Sequence, residues 1–374
     1  MNWKILIVAI IVMVALAVGM TSTGKSTAQS EIKIGFIGPL TGDFAIIGTE
    51  NLRGIELAVD EINTNSGING KKVSLVIEDD WFQPAQTVSA FEKVVTIENV
   101  GYVMTVSYSG FLSIAPRADE KRVIVIESLE TSKEIADAGE YVFGIGIYDE
   151  GIGFTLADFA RNNLGTDTAG IIFYNGDAFP LLTKNTFKER FEQLGGQVVS
   201  IQEYGSETKD FRSHLEKIRS SGAQAIVVIG YDEAGFAARQ IRELGITKPI
   251  LAIDTTLSEG FRKNAGEAYE GIYFTSWESD NKTAEQRFVE SYQNKYGEQP
   301  QQILFVVTGY DAMRALAEVM KGSNFSTEQV KTNLYDLKGF GGISGNLTMS
   351  EDGIVRTIEE SMFRIQDGKP VRIE

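Results

Sequence analysis

Short β-rich runs alternating with one-faced helices, in a series that stops and then starts again, constrain this 374-residue chain more than any other feature. Ile32 to Ile37 reads as a strand. Leu52, Ile55, Val59 and Ile62 then recur at spacings of three and four, which gives a helix with one apolar face. Strands follow at 72–78, 102–105 and 123–127, with helices over 84–98 and from Phe111. The pattern restarts with strands at 169–174, 198–201, 225–230 and 250–253, and helices over 181–194, 211–220 and 234–244. Such alternation predicts right-handed βαβ units and parallel sheets covered on both faces. Breaks near Gly144–Gly153 and Trp277–Lys282 divide the series into two α/β lobes. Two further helices, 284–296 and 306–321, lead to a Gly-rich loop at 339–345. The chain closes in a hairpin turned at Asp367-Gly368.

Residue usage removes much of enzymology. With 0 Cys, there can be no disulfide framework, thiolate metal site or cysteine nucleophile. The 1 histidine, His214, lies in a segment whose buried stripe is Phe211, Leu215 and Ile218, so it reads as a helix-surface residue and not as a general base. The Gly-rich stretches lack the strand, fingerprint and helix order of a dinucleotide site, and no phosphate loop is present. Ser107-Tyr108-Ser109-Gly110 lacks the glycine that a nucleophile elbow needs two residues before its serine. Glu78-Asp79-Asp80 has the paired carboxylates that glycosidase chemistry uses, and reads at least as well as a strand-end acidic cluster that caps a helix. The expectation is a non-enzyme with no cofactor and no metal ion. The formal net charge of −16 argues against nucleic acid and anionic lipid as partners.

The first thirty residues stand apart. Met1-Asn2-Trp3-Lys4 leads into an apolar run from Ile5 to Val18, followed by a small-polar stretch. This reads as a signal peptide, with an uncleaved anchor as the alternative. Either way the body is expected outside the cytoplasm.

Open α/β sheets bind ligands at the carboxyl ends of their strands. There the first series places Ser107, Ser109, Ser128 and Thr131, and the second places Phe179, Tyr231 and Asp254. One lobe therefore offers donors for an anion, and the other offers an acid with aromatic surfaces.

Ile34-Gly35-Phe36-Ile37-Gly38-Pro39-Leu40-Thr41-Gly42, then Gly54-Ile55-Glu56-Leu57-Ala58-Val59-Asp60-Glu61-Ile62-Asn63 and Gly67-Ile68-Asn69-Gly70, resemble the opening of the periplasmic branched-chain amino-acid binding proteins of ABC importers, leucine-binding type. Asp79-Asp80 with Pro84, Tyr310-Asp311-Ala312 and Gly339-Phe340 with Gly342 and Gly345 match later landmarks. The resemblance implies a type I periplasmic binding protein fold: two Rossmann-like lobes joined by a three-strand hinge. Lobe 1 would comprise 31–147 and 278–349, and lobe 2 would comprise 148–277 and 350–374. It further implies that Ser109 and Thr131 hold a ligand's carboxylate and ammonium, with a carbonyl from Leu129. Asp254 would face the ammonium, with Tyr231, Tyr310 and Phe179 as pocket aromatics and Ile47 against the ligand side chain. Trp81 would add apolar surface or pack the hinge.

Asp254 stands where the family commonly has glutamate, Phe179 where tyrosine is common, and Glu127 and Glu130 bring unusual acidity to the first-lobe site. The expected function is capture of a small amino acid, branched-chain or otherwise apolar, by a monomer that delivers it to an ABC transporter membrane permease. The alternatives are an amide, urea or small carboxylic acid as ligand, or an anchored ligand sensor.

Overall fold

Apolar runs too short to be helices and flanked by amphipathic ones bury both faces best in parallel sheets. The computed structural model, which describes residues 31–373, contains two such sheets. The first runs, edge to edge, Val73–Asp79, Ile32–Gly38, Tyr102–Thr105, Ile124–Glu127 and Val142–Gly144, all parallel. The second runs Gln197–Tyr204, Thr168–Tyr174, Ala225–Ile229, Ile250–Ala252 and Tyr273–Ser276 in parallel, then continues through the antiparallel hairpin Ser361–Gln366 and Lys369–Arg372. In both sheets the second strand in sequence lies outside the first, and the third lies on its other side. This doubly wound order creates a switch point where the chain leaves the sheet in opposite directions, and ligands bind there.

The chain passes between the sheets three times. Val142–Gly144 leads into Ile147–Tyr148 and then the helix Asp149–Asp158. Ser276 leads back to Trp277, whose indole N–H donates to the Ser344 carbonyl at 2.9 Å. Finally, Ile354 to Ile358 returns past the first passage: Val355 N–H donates to the Gly144 carbonyl and Tyr148 N–H to the Ile358 carbonyl. The Gly-rich loop before this last passage folds around a carboxylate. Asp311 accepts the Ile343 and Ser344 N–H groups and the Ser344 hydroxyl.

Two helices far apart in sequence, Ala45–Thr64 and Ile303–Met320, cross with almost no gap. A Cβ on Gly54 would stand 1.9 Å from the Val306 carbonyl oxygen, and one on Gly309 2.4 Å from that of Asn51. The closeness brings the buried Asn51 amide to the Ser128 and Phe305 carbonyls, both at 3.1 Å, while its oxygen accepts the Ser128 hydroxyl at 2.8 Å. One side chain thus ties two helices to a strand end, and Ile47, Leu129 and Phe305 converge as a result.

One expectation needs correction, and the break near Gly144–Gly153 is the first passage between the sheets. That break holds a strand end and the start of a helix. Gly153 punctuates nothing there; it lets this helix lie against Ala178–Gln193, because a Cβ would stand 2.0 Å from the Thr186 hydroxyl. The helix at 84–98 is α-helical only to Glu92 and widens into a π turn over Lys93–Ile97. The signal peptide or anchor at 1–30 lies outside the described residues. Among the described residues no helix is long and apolar enough to cross a membrane.

Gly54→Ala should gain about 1 kcal/mol of helix propensity and lose more to the collision with backbone, because overpacking costs about 1–3 kcal/mol and neither helix can retreat without displacing Asn51. Urea denaturation should show a lower midpoint with an unchanged slope, and an unchanged midpoint would mean that the crossing is looser than described.

Candidate functional site

The carboxyl ends of both sheets face each other across a narrow cleft. Ile47, Leu129, Glu130 and Phe305 line it from one side, and Phe179, Tyr231, Asp254 and Thr255 from the other. Ile147, Asp149 and Ile152 close the back near the passages between lobes. Phe179 and Tyr231 follow the two strands that flank the second sheet's switch point, which is why residues 52 positions apart share one wall. The floor is mostly apolar, with a few polar groups aimed inward, as small-solute sites generally are.

Five of the residues singled out from sequence come together here: Ile47, Leu129, Phe179, Tyr231 and Asp254. Four do not. Ser109 spans the lobes: its hydroxyl donates to Asp177 Oδ1 at 2.5 Å and accepts the Ala178 N–H, while the Tyr231 hydroxyl donates to Asp177 Oδ2 at 2.8 Å. Thr131 is fully buried at the passages, and its hydroxyl donates to the Ile147 and Val355 carbonyls. Tyr310 lies on the opposite face of its helix, with its ring 4.8 Å from Phe288 and its hydroxyl bound to Glu61. Trp81 is 51% exposed.

The reason for Trp81 is local. Asp79 accepts its N–H and Asp80 accepts that of Phe82, which holds both residues at positive φ, 50° and 58°. The turn sends Trp81 outward and Phe82 inward. Phe82 stacks on Phe44 at 4.5 Å, and both rings meet the edge of Tyr231 from the other lobe, at 6.1 and 5.2 Å. Asp80 also accepts the Thr87 hydroxyl in the next helix, but the N-cap there is Gln83 and, among the described residues, no carboxylate of the cluster at 78–80 takes a helix-terminal N–H, so the expected cap is a side-chain tie instead.

Sequence reasoning missed Asp149, Thr255, Phe305 and Asp177, and noted Glu130 only as acidity near the site. Asp149 was hidden because its segment read as a linker; an acid opening a helix was the available signal. Its importance is electrostatic. Asp149 is fully buried, and among the described residues no donor reaches either carboxylate oxygen. Burial drives its proton affinity well above the carboxylate range, reinforced by Glu130, Glu150, Glu127 and Glu360. Glu130 is raised by burial and by Asp177 and Asp254. Burial pushes Asp254 up to about 6 against backbone hydrogen bonds that lower it. Charges cannot sit this close in a poorly solvated space without protons or counter-ions.

With this geometry in place, likeness to known proteins decides the family. The family model described as "Periplasmic binding protein" matches residues 31–364. The chain belongs to that family. It is 27% identical over 354 residues to the Leu/Ile/Val-binding protein homolog 3 of Brucella melitensis, covering 93% of this chain and 95% of the relative. It superposes on the leucine-binding protein LivK of Thermotoga maritima with a TM-score of 0.83 at 27% identity, covering 92% of this chain and 98% of that one. LivJ of Streptococcus pneumoniae, solved with isoleucine, gives 0.81 at 27% identity over 91% of this chain and 98% of that one. Family membership implies an extracytoplasmic location.

Acids whose folded proton affinity is raised favour the apposed lobes at low pH. For Asp254 that contribution is complete below about pH 4 and is lost as pH climbs through about 6. Because these carboxyls lie between lobes, parting the lobes relieves them. Small-angle scattering without added solute should show the radius of gyration rising between pH 4 and 7, with Asp254→Asn flattening the rise. A constant radius would mean that these acids do not govern the approach of the lobes.

Proposed function

We propose that this periplasmic binding protein captures a small amino acid in the interlobe cleft and, acting as a monomer, delivers it to the membrane permease of an ABC importer. The observation that carries this reading is the opposition of Asp254 and Tyr231 on one lobe to Ile47, Leu129 and Phe305 on the other. An ammonium group pairs with Asp254, and an aliphatic chain lies against Ile47, Leu129, Phe179 and Phe305. Neither half of the cleft covers the solute alone, so solute favours the apposed lobes by the contacts it makes only there. The Leu/Ile/Val-binding Brucella relative, leucine-binding LivK and isoleucine-bound LivJ support an amino acid as cargo. A carboxylic acid without an amine fits poorly, because it would leave Asp254 without a cationic partner.

The test is a thermal shift across the twenty amino acids with the full chain. A cognate solute at about 100 times its Kd should add about 2.7 kcal/mol of stability. Asp254→Asn should weaken that solute at least about tenfold by calorimetry, since removing one partner of a buried charge pair costs about 2 kcal/mol or more. Equal affinity in the variant would remove Asp254 from the site.

A further inference from the structure

The cleft carries more acidic groups than one ammonium can answer. Glu130, Asp149 and Asp254 all line it, and among the described residues no Lys, Arg or His lines either it or the adjoining recess beside Phe44 and Gln302. Asp149 is the decisive member: buried, facing the cavity, and without a donor to either oxygen among the described residues. Behind the wall, Glu127 and Glu360 are buried as well, and both act on Asp149. Between the acids lie the rings of Phe179, Tyr231 and Phe305, and aromatic faces attract cations.

The groups that should answer a ligand's carboxylate are engaged elsewhere. The Ser109 hydroxyl donates to Asp177, and that of Thr131 to backbone carbonyls. The Thr255 hydroxyl donates to the Gly230 carbonyl at 2.7 Å. A neutral zwitterion would therefore bring one positive charge to three acids, and a carboxylate with no side-chain donor turned toward it.

We infer that the cleft takes a small solute of net positive charge: an amine on a short apolar stem that ends in a second cationic group, one centre held by Asp254 and Glu130 and the other by Asp149. This rests on the proposed capture of solute in the cleft, and it changes the side chain from purely aliphatic to an aliphatic stem with a charged end. Ile147 and Ile152 flank Asp149 on the same wall and suit the stem. Diamines and basic amino acids share this chemistry and differ only in a carboxylate.

The experiment is calorimetry on the full chain with putrescine, cadaverine, ornithine, lysine, leucine and isoleucine, repeated with Asp149→Asn and Glu130→Gln. Both variants keep the shape of the residue, and circular dichroism with thermal melting confirms that they fold. At least one dicationic solute should bind about tenfold or more tighter than leucine, and Asp149→Asn should abolish that preference. Binding of cadaverine or putrescine but not lysine supports a ligand without a carboxylate; binding of lysine or ornithine alone supports a basic amino acid. Leucine or isoleucine binding more tightly than every cation, unmoved by Asp149→Asn, overturns the inference and leaves the proposed function standing. Silence from all four cations overturns it as well. Binding of any solute that survives both Asp254→Asn and Tyr231→Ala would instead overturn the cleft as the site.

Discussion

Buried carboxyl groups that meet across the gap between two lobes impose the central constraint on this molecule. A carboxylate deprived of water must find a cation, a donor or a proton. Asp149 has no donor among the described residues, Asp254 has backbone help, and Glu130 stands between Asp254 and Asp149 in the same field. How closely the lobes approach and which solute completes them are then two aspects of one electrostatic problem. The surrounding scaffold is apolar and closely packed, so it cannot relax to dissipate the charge.

That scaffold is specified by a few contacts that do not touch the cleft. The Asn51 amide fixes the ends of two helices against Ser128, and glycine at positions 54 and 309 allows the approach that this requires. Asp80 and Asp79 hold a left-handed turn that presents Phe82 and not its neighbour. The first sets which apolar side chains reach the wall, and the second sets which ring packs on Tyr231 beside it.

The fold was legible because periodicity reports burial. Runs such as Ala225–Ile229 are buried along their whole length, and helices such as Arg212–Ser220 bury one stripe. The cleft was legible only in part. Phe179, Tyr231 and Asp254 follow strand ends, so topology alone places them. Ser109 and Thr131 also follow strand ends, but their hydroxyls turn toward Asp177 and toward backbone carbonyls, a choice set by partners distant in sequence. Phe305 enters from a helix more than 150 residues after the first-lobe sheet, and no local pattern announces it. Asp149 was masked by glycines that serve helix packing. Tyr310 was misplaced because a helix has two faces and the apolar stripe does not say which residue at its margin looks inward.

The bridge formed by Ser109, Asp177 and Tyr231, with Phe44 and Phe82 packed on the same tyrosine, shares one residue with the cleft: the Tyr231 ring lines it while the Tyr231 hydroxyl donates to Asp177. It fastens one half of the protein to the other through a side chain that also faces the cavity. Departure of a trapped molecule must therefore wait for this fastening to fail, and a change at Tyr231 would alter dwell time and affinity together.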